Sequence, residues 1–124
     1  MGALRVLFVD DEEGVRDVAR EFLEGEGFHV TLAVSAEDAI HAFRDASFDA
    51  VVTDYKMPGA NGADLARHLR ALRPRLPIIL LTGFMSALDR EAMSRLFDEI
   101  LEKPMGVTRM AEALLRHRSN TPPR

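Results

Sequence analysis

Residues 4–11 read Leu-Arg-Val-Leu-Phe-Val-Asp-Asp, a strand-length apolar run that stops on two carboxylates. Three further stretches follow the same pattern: Ala50-Val51-Val52-Thr53 runs into Asp54, Pro77-Ile78-Ile79-Leu80-Leu81 into Thr82, and Glu99-Ile100-Leu101 toward Lys103-Pro104. Each is apolar and largely β-branched, so each polar residue sits where a buried strand should stop. If the strands lie parallel, their carboxyl ends share one edge, where open α/β sheets place ligand sites. Three carboxylates, a hydroxyl and an ammonium then meet in one crevice.

The segments between these runs read as helices. From Glu13 to Glu24, Val15, Val18, Ala19, Phe22 and Leu23 recur at helical spacing, and Gly25 and Gly27 end the pattern. A short strand from Phe28 to Ala33 leads to Ser35, which can cap a helix with Asp38 at its third position and a stripe of Ala36, Ala39, Ile40 and Phe43. Asn61 with Asp64 opens the next helix ahead of Leu65, Leu69 and Leu72. Ser86 with Asp89 opens another, with Leu88, Ala92, Met93 and Leu96 as its expected stripe, and the last helix carries Val107, Met110, Ala111, Leu114 and Leu115. This alternation predicts right-handed βαβ crossovers and a doubly wound α/β domain: a five-stranded parallel sheet with five helices covering both faces. FHVTLA is the more polar strand and suits an edge, which favours the flavodoxin-like order 2-1-3-4-5 over a Rossmann order.

At 124 residues the chain fits one domain, expected over residues 1–118, with 119–124 a proline-containing tail or linker start. The absence of cysteine excludes a disulfide framework, a thiolate zinc site and thiol redox chemistry. No apolar run approaches the roughly 20 residues that span a bilayer, and no targeting segment is read, so the expected location is cytoplasmic. Sixteen Lys and Arg against twenty Asp and Glu give a net charge of −4, which argues against direct nucleic acid binding. The basic clusters Arg67, His68, Arg70, Arg73, Arg75 and Arg109, Arg116, His117, Arg118 read as solvated helix faces.

Asp10 and Asp11 alone could be surface acids at a helix start, Thr82 a strand-end hydroxyl, and Lys103 a solvated lysine before a turn. Asp54 changes that balance, because a third carboxylate at a neighbouring strand end makes a repulsive cluster that needs a compensating charge. Mg²⁺ is the natural neutraliser, since it takes one or two carboxylates and shares oxygens with a phosphate. Asp54 is then the plausible nucleophile, forming an acyl phosphate, while the Thr82 hydroxyl and the Lys103 ammonium engage the phosphoryl oxygens. Lys103-Pro104 suggests a rigid turn, with a cis peptide as one option.

With these residues in place, the chain resembles the receiver domain of two-component response regulators along essentially its whole length. VDDE (residues 9–12), D-Y-K-M-P-G-x-N-G (54–62), LLTG (80–83) and LEKP (101–104) stand in the family's order and spacing. The resemblance implies that Asp54 accepts phosphate from a phosphohistidine of a histidine kinase or histidine phosphotransfer domain. It further implies that Asp10, Asp11, Asp54 and the backbone carbonyl of Lys56 hold Mg²⁺. Thr82 and Lys103 would grip the phosphoryl group, with Pro104 fixing the turn after Lys103. The side chains of Lys56 and Phe84 occupy positions that tune phosphate loss in the family. Relatives couple the threonine to an aromatic residue three places before the lysine, where this chain has Ile100. An isoleucine cannot make that inward ring rotation, so weaker or differently routed coupling is implied.

The wording of LPIILLTGF and FDEILEKP is similar to receivers attached to hybrid sensor kinases, and a stand-alone receiver fits equally. The helix after Ser86, the strand around Ile100 and the last helix form the expected partner or homodimer face. A haloacid-dehalogenase-like phosphatase is the enzyme alternative, but it wants Asp-x-Asp after the first strand, where Asp10 is followed two places on by Glu12. A receiver-fold module that is not phosphorylated is the other alternative, although such modules usually lack a site acid or the lysine.

Overall fold

The apolar runs form strands whose successive residues enter two separate cores. In the computed structural model, which describes residues 3–83, 85–104 and 106–118, the strands are β1 (Arg5–Val9), β2 (His29–Ala33), β3 (Ala50–Thr53), β4 (Ile78–Thr82) and β5 (Glu99–Glu102). They make one parallel sheet in the order β2-β1-β3-β4-β5. The helices are α1 (Glu13–Gly25), α2 (Ala36–Asp45), α3 (Gly62–Leu72), α4 (Ala87–Met93) and α5 (Gly106–His117). The expected fold class, strand order and helix number are all found.

Leu7, Val9, Val51, Ile78 and Leu80 pack with Ala39, Leu65 and Leu69 on one sheet face. Val6, Phe8, Val52, Ile79 and Leu81 pack with Ala19, Leu23, Met110 and Leu114 on the other. β1, β3 and β4 therefore bury both faces, which is why they lack polar alternation. The polar β2 is an edge strand, as its composition predicts, and β5 is the opposite edge. Ser35, Asn61 and Ser86 all act as caps, their side chains accepting the backbone N–H of Asp38, Asp64 and Asp89. At Asn61 the cap is reciprocal, because Asp64 accepts the Asn61 N–H in return.

Two sequence readings are corrected. First, the stripe expected for α4 is not its buried face. The helix ends at Met93, no residue in it is buried, and Leu88 is 79% exposed. Leu88 and Ala92 do share a face, being four apart, but it is the face turned to solvent; Met93, and Leu96 beyond the helix end, supply the contacts to the core. Two apolar pairs at helical spacing were available, and only the tertiary packing selects between them.

Second, Arg70 and Arg73 are structural staples rather than solvated charges. Arg70 donates to the carbonyls of Leu96 (2.8 Å), Pro74 (3.2 Å) and Leu76 (2.9 Å), and pairs with Asp98 Oδ2 at 2.9 Å. Asp98 Oδ2 also accepts the Ile78 N–H at 2.8 Å, so one guanidinium organises the approaches to both β4 and β5. Arg73 donates to the Phe48 carbonyl ahead of β3. Arg116 likewise is not a free charge: with His117 it meets the Glu99 carboxylate and ties α5 to β5. Burial works to raise the Glu99 pKa, but hydrogen bonds from Arg116 and His117 outweigh it and hold the carboxyl below its usual value.

Replacing Arg70 with Ala leaves three backbone carbonyls and a half-buried carboxylate without their donor. Urea denaturation should show a loss of about 2 kcal/mol, the scale of orphaned partly buried acceptors, and Arg70→Lys should restore little of it because an ammonium lacks the planar fork. A loss below about 0.5 kcal/mol, the scale of an exposed ion pair, would return Arg70 to the surface.

Candidate functional site

The strands deliver their terminal residues to one place because each is held by a further backbone bond just past the ladder. The Asp54 N–H donates to the Val9 carbonyl at 2.9 Å, the Asp10 N–H to Ala33 at 3.1 Å, and the Lys103 N–H to Thr82 at 2.7 Å. Asp10, Asp54 and Thr82 are all buried there, and the Lys103 side chain is only 18% exposed. Lys103 Nζ lies 2.8 Å from Asp10 Oδ2 and 3.2 Å from Asp54 Oδ2, a single ammonium bridging two carboxylates from different strands. The remaining oxygens are engaged by the backbone: Asp10 Oδ1 accepts the Glu12 N–H at 2.9 Å, and Asp54 Oδ1 accepts the Tyr55 N–H at 2.8 Å.

Asp54 and Lys103 line a cavity of about 830 Å³ together with Asp11, Glu12, Lys56 and Thr82, while Asp10 is fully buried and does not line it. Asp10, Asp11, Asp54, Thr82 and Lys103 are thus brought to one strand edge, as the sequence predicts. The Lys103-Pro104 peptide is cis. Ile100 is not among the residues lining the cavity; it lies on β5 opposite Leu80, half-buried against the core on the α2 and α3 side of the sheet. Phe84 and residues 119–124 lie outside the described residues.

The electrostatics are unbalanced. Burial, and then the neighbouring Asp10 carboxylate, raise the Asp54 pKa, and Lys103 offsets this only in part. Burial disfavours the Lys103 ammonium, but its hydrogen bond to Asp10 and the charges of both carboxylates prevail and raise its pKa. Asp10, Glu12 and Asp54 each place an oxygen within 4.8 Å of the others, so three carboxylates face one ammonium. An all-oxygen, anion-rich donor set with room for water suits a hard cation such as Mg²⁺ over softer metals.

Glu12 is the member that sequence reading missed. It stands at the N-cap position of α1, where its side chain makes no capping hydrogen bond. Its carboxylate lies 3.9 Å from Lys103 Nζ. For Gly62, the last residue of the 54–62 motif, the structure supplies the physical reason. A Cβ there would stand 2.2 Å from the Asp54 carbonyl oxygen, so only glycine lets α3 start against the backbone of the acceptor strand.

The model of the response regulator receiver domain family matches residues 6–115 of this chain. The chain belongs to that family. The receiver is 31% identical to the transcriptional regulatory protein ZraR of Salmonella typhimurium over 97% of its own length and 27% of that protein's. It is 30% identical to the autoinducer 1 sensor kinase/phosphatase LuxN of Vibrio harveyi over 88% of this chain and 13% of LuxN. It therefore spans a minor part of these relatives, of which one is a transcriptional regulator by name and the other a sensor kinase. Among solved structures it resembles the response regulator TrrA of Thermotoga maritima, in complex with Mg²⁺-BeF, with a TM-score of 0.83, 31% identity, and coverage of 94% of this chain and 99% of that one. Among the described residues, no helix of this receiver is long and apolar enough to cross a membrane.

Substituting Gly62 by Ala should force the Asp54 carbonyl and α3 apart. The expected cost is about 1–3 kcal/mol of stability, the range for overpacking, together with displaced amide resonances at Asp54 and Tyr55 in an NMR spectrum. Unshifted Asp54 and Tyr55 resonances would show that α3, rather than the acceptor strand, yields.

Proposed function

We propose that this receiver is a phosphoacceptor of a two-component or phosphorelay system, with Asp54 taking the phosphoryl group from a phosphohistidine of a histidine kinase or histidine phosphotransfer domain. The observation that carries this reading is Lys103 Nζ bridging Asp54 and Asp10 at 3.2 and 2.8 Å, at the mouth of a cavity where Thr82 also ends its strand. A carboxylate oxygen of Asp54 forms the new P–O bond as the P–N bond breaks, and the electron pair of that bond stays with the departing imidazole. Lys103, already charged and aimed at the site, then pairs with one phosphoryl oxygen, and the Thr82 hydroxyl donates to another. Because both come from strand ends, they are positioned before the phosphoryl group arrives, which limits the entropy lost on transfer.

Mg²⁺ bound by Asp10, Asp11, Asp54 and the Lys56 carbonyl would offset the charge on the transferred group. Asp10 and Asp54 already converge. Asp11 lines the same cavity, though the carboxylate that clusters with Asp10 and Asp54 is that of Glu12, whose side chain is 67% exposed. The Lys56 and Phe84 side chains would tune water's access to the acyl phosphate. The output would pass through the α4-β5-α5 face to a partner or a second copy of the chain. The role is that of a signalling switch that assists its own phosphorylation and dephosphorylation, in the cytoplasm.

The test is intact mass after incubation with Mg²⁺ and acetyl phosphate. A single phosphoryl gain is expected for the wild type and none for Asp54→Asn; a gain that survives in the variant would move the acceptor elsewhere, and steady turnover of assorted phosphate esters would favour a phosphatase. Magnesium itself should raise the melting temperature, contributing about 1.4 kcal/mol at ten times its Kd. Asp11→Asn should weaken that binding at least about tenfold, the scale seen when a metal site loses a supporting group, and Glu12→Gln much less. The reverse order would assign the ligand to Glu12.

A further inference from the structure

α4 is attached to the domain in an unusual way. None of its seven residues is buried, and its apolar contribution to the core is the half-buried Met93. What crosses from the helix to the sheet is Arg90. One of its terminal nitrogens pairs with Glu102 Oε1 at 2.5 Å, and the other lies 3.5 Å from the Ile100 carbonyl. Both partners belong to β5, and Glu102 is the residue immediately before Lys103.

Ile100 is the point where relatives are expected to carry a mobile ring. Here that position holds a short aliphatic side chain, and its backbone carbonyl and the next outward-facing carboxylate of the strand both meet Arg90 of α4. Thr82 and Glu102 are register partners, and Lys103 N–H donates to the Thr82 carbonyl, so the site residues and Glu102 ride on the same pair of strand ends. Lys103 and Glu102 are consecutive residues on one backbone segment, which is therefore held to Thr82.

We infer that Arg90 is a positioning residue: its contacts to Glu102 and the Ile100 carbonyl couple Lys103 to α4, in the place of an aromatic relay. This deepens the phosphoacceptor reading and rests on it for its biological sense. The coupling itself is a property of the strand and the helix, and can be measured without phosphate. With the site at rest, the Arg90 contacts hold α4 against β5. When Lys103 moves, the carboxylate and the carbonyl no longer meet the guanidinium together, and a helix without buried residues has little else to keep it in place.

The test is a double-mutant cycle read by amide hydrogen exchange of the α4 peptide, using Lys103→Met, Arg90→Ala and the combination. Arg90→Ala should speed α4 exchange about threefold, the scale of a partly exposed ion pair. Lys103→Met should change α4 exchange in the wild-type background and have no further effect once Arg90 is absent. The charge-swapped pair Arg90→Glu with Glu102→Arg should restore part of the slow exchange, the part due to the ion pair, because a carboxylate cannot donate to the Ile100 carbonyl; a merely destabilised helix would show no recovery. Equal effects of Lys103→Met in both backgrounds, or none in either, would overturn the inference. A parallel arm with Mg²⁺ and acetyl phosphate separates the two claims. Absence of a phosphoryl mass gain in the wild type would sink the phosphoacceptor reading while the cycle still decides the role of Arg90.

Discussion

One ammonium, Lys103 Nζ, keeps two buried carboxylates from separate strands at hydrogen-bonding distance. Without it, Asp10 and Asp54 would repel one another in a region with little water to screen them. The strand order makes this contact possible. β1 lies beside β3, so the two acids are neighbours, and the lysine that follows β5 reaches both from beyond β4. Even so, the charge is not balanced: the carboxylates of Asp10, Glu12 and Asp54 converge on the single Lys103 ammonium. Such residual anionic character at the end of a rigid sheet invites a cation and an electrophile.

Rigidity is unevenly distributed. The central strands are packed on both faces, and Arg70 and Asp98 lock the amino ends of β4 and β5 through shared carbonyl and N–H partners. The opposite end of the same strands carries the site, and next to it stands α4, the helix with no buried residue. A chemical event at the carboxyl edge therefore acts on a fixed sheet and a weakly held helix. Free energy from charge rearrangement is better expressed in such a helix than in a close-packed core, which resists continuous deformation.

The site residues Asp10, Asp54, Thr82 and Lys103 were legible because a polar side chain at the end of a buried apolar run has few structural reasons to be there. The caps at Ser35, Asn61 and Ser86 were legible for a similar reason, since capping depends on residues three apart. The α4 stripe was misread because Leu88 and Ala92 satisfy helical spacing as well as Met93 and Leu96 do, and spacing does not say which face meets the sheet. Arg70 and Arg73 were misread because a run of basic residues looks the same whether its guanidiniums meet water or carbonyls contributed by distant loops. Glu12 stands just ahead of the Glu13–Glu24 helical pattern, and its proximity to Lys103 arises from a residue far along the chain.

By itself, then, the sequence determined the fold class, the strand order, the helix starts and the residues at the carboxyl edge, because these follow from local periodicity, capping and strand termination. Only the tertiary structure decided which charges pair: Lys103 with Asp10 and Asp54, Arg70 with Asp98, Arg116 with Glu99, and Arg90 with Glu102. Ion pairing depends on distance in space and on burial, and neither is written in the spacing of residues along a chain.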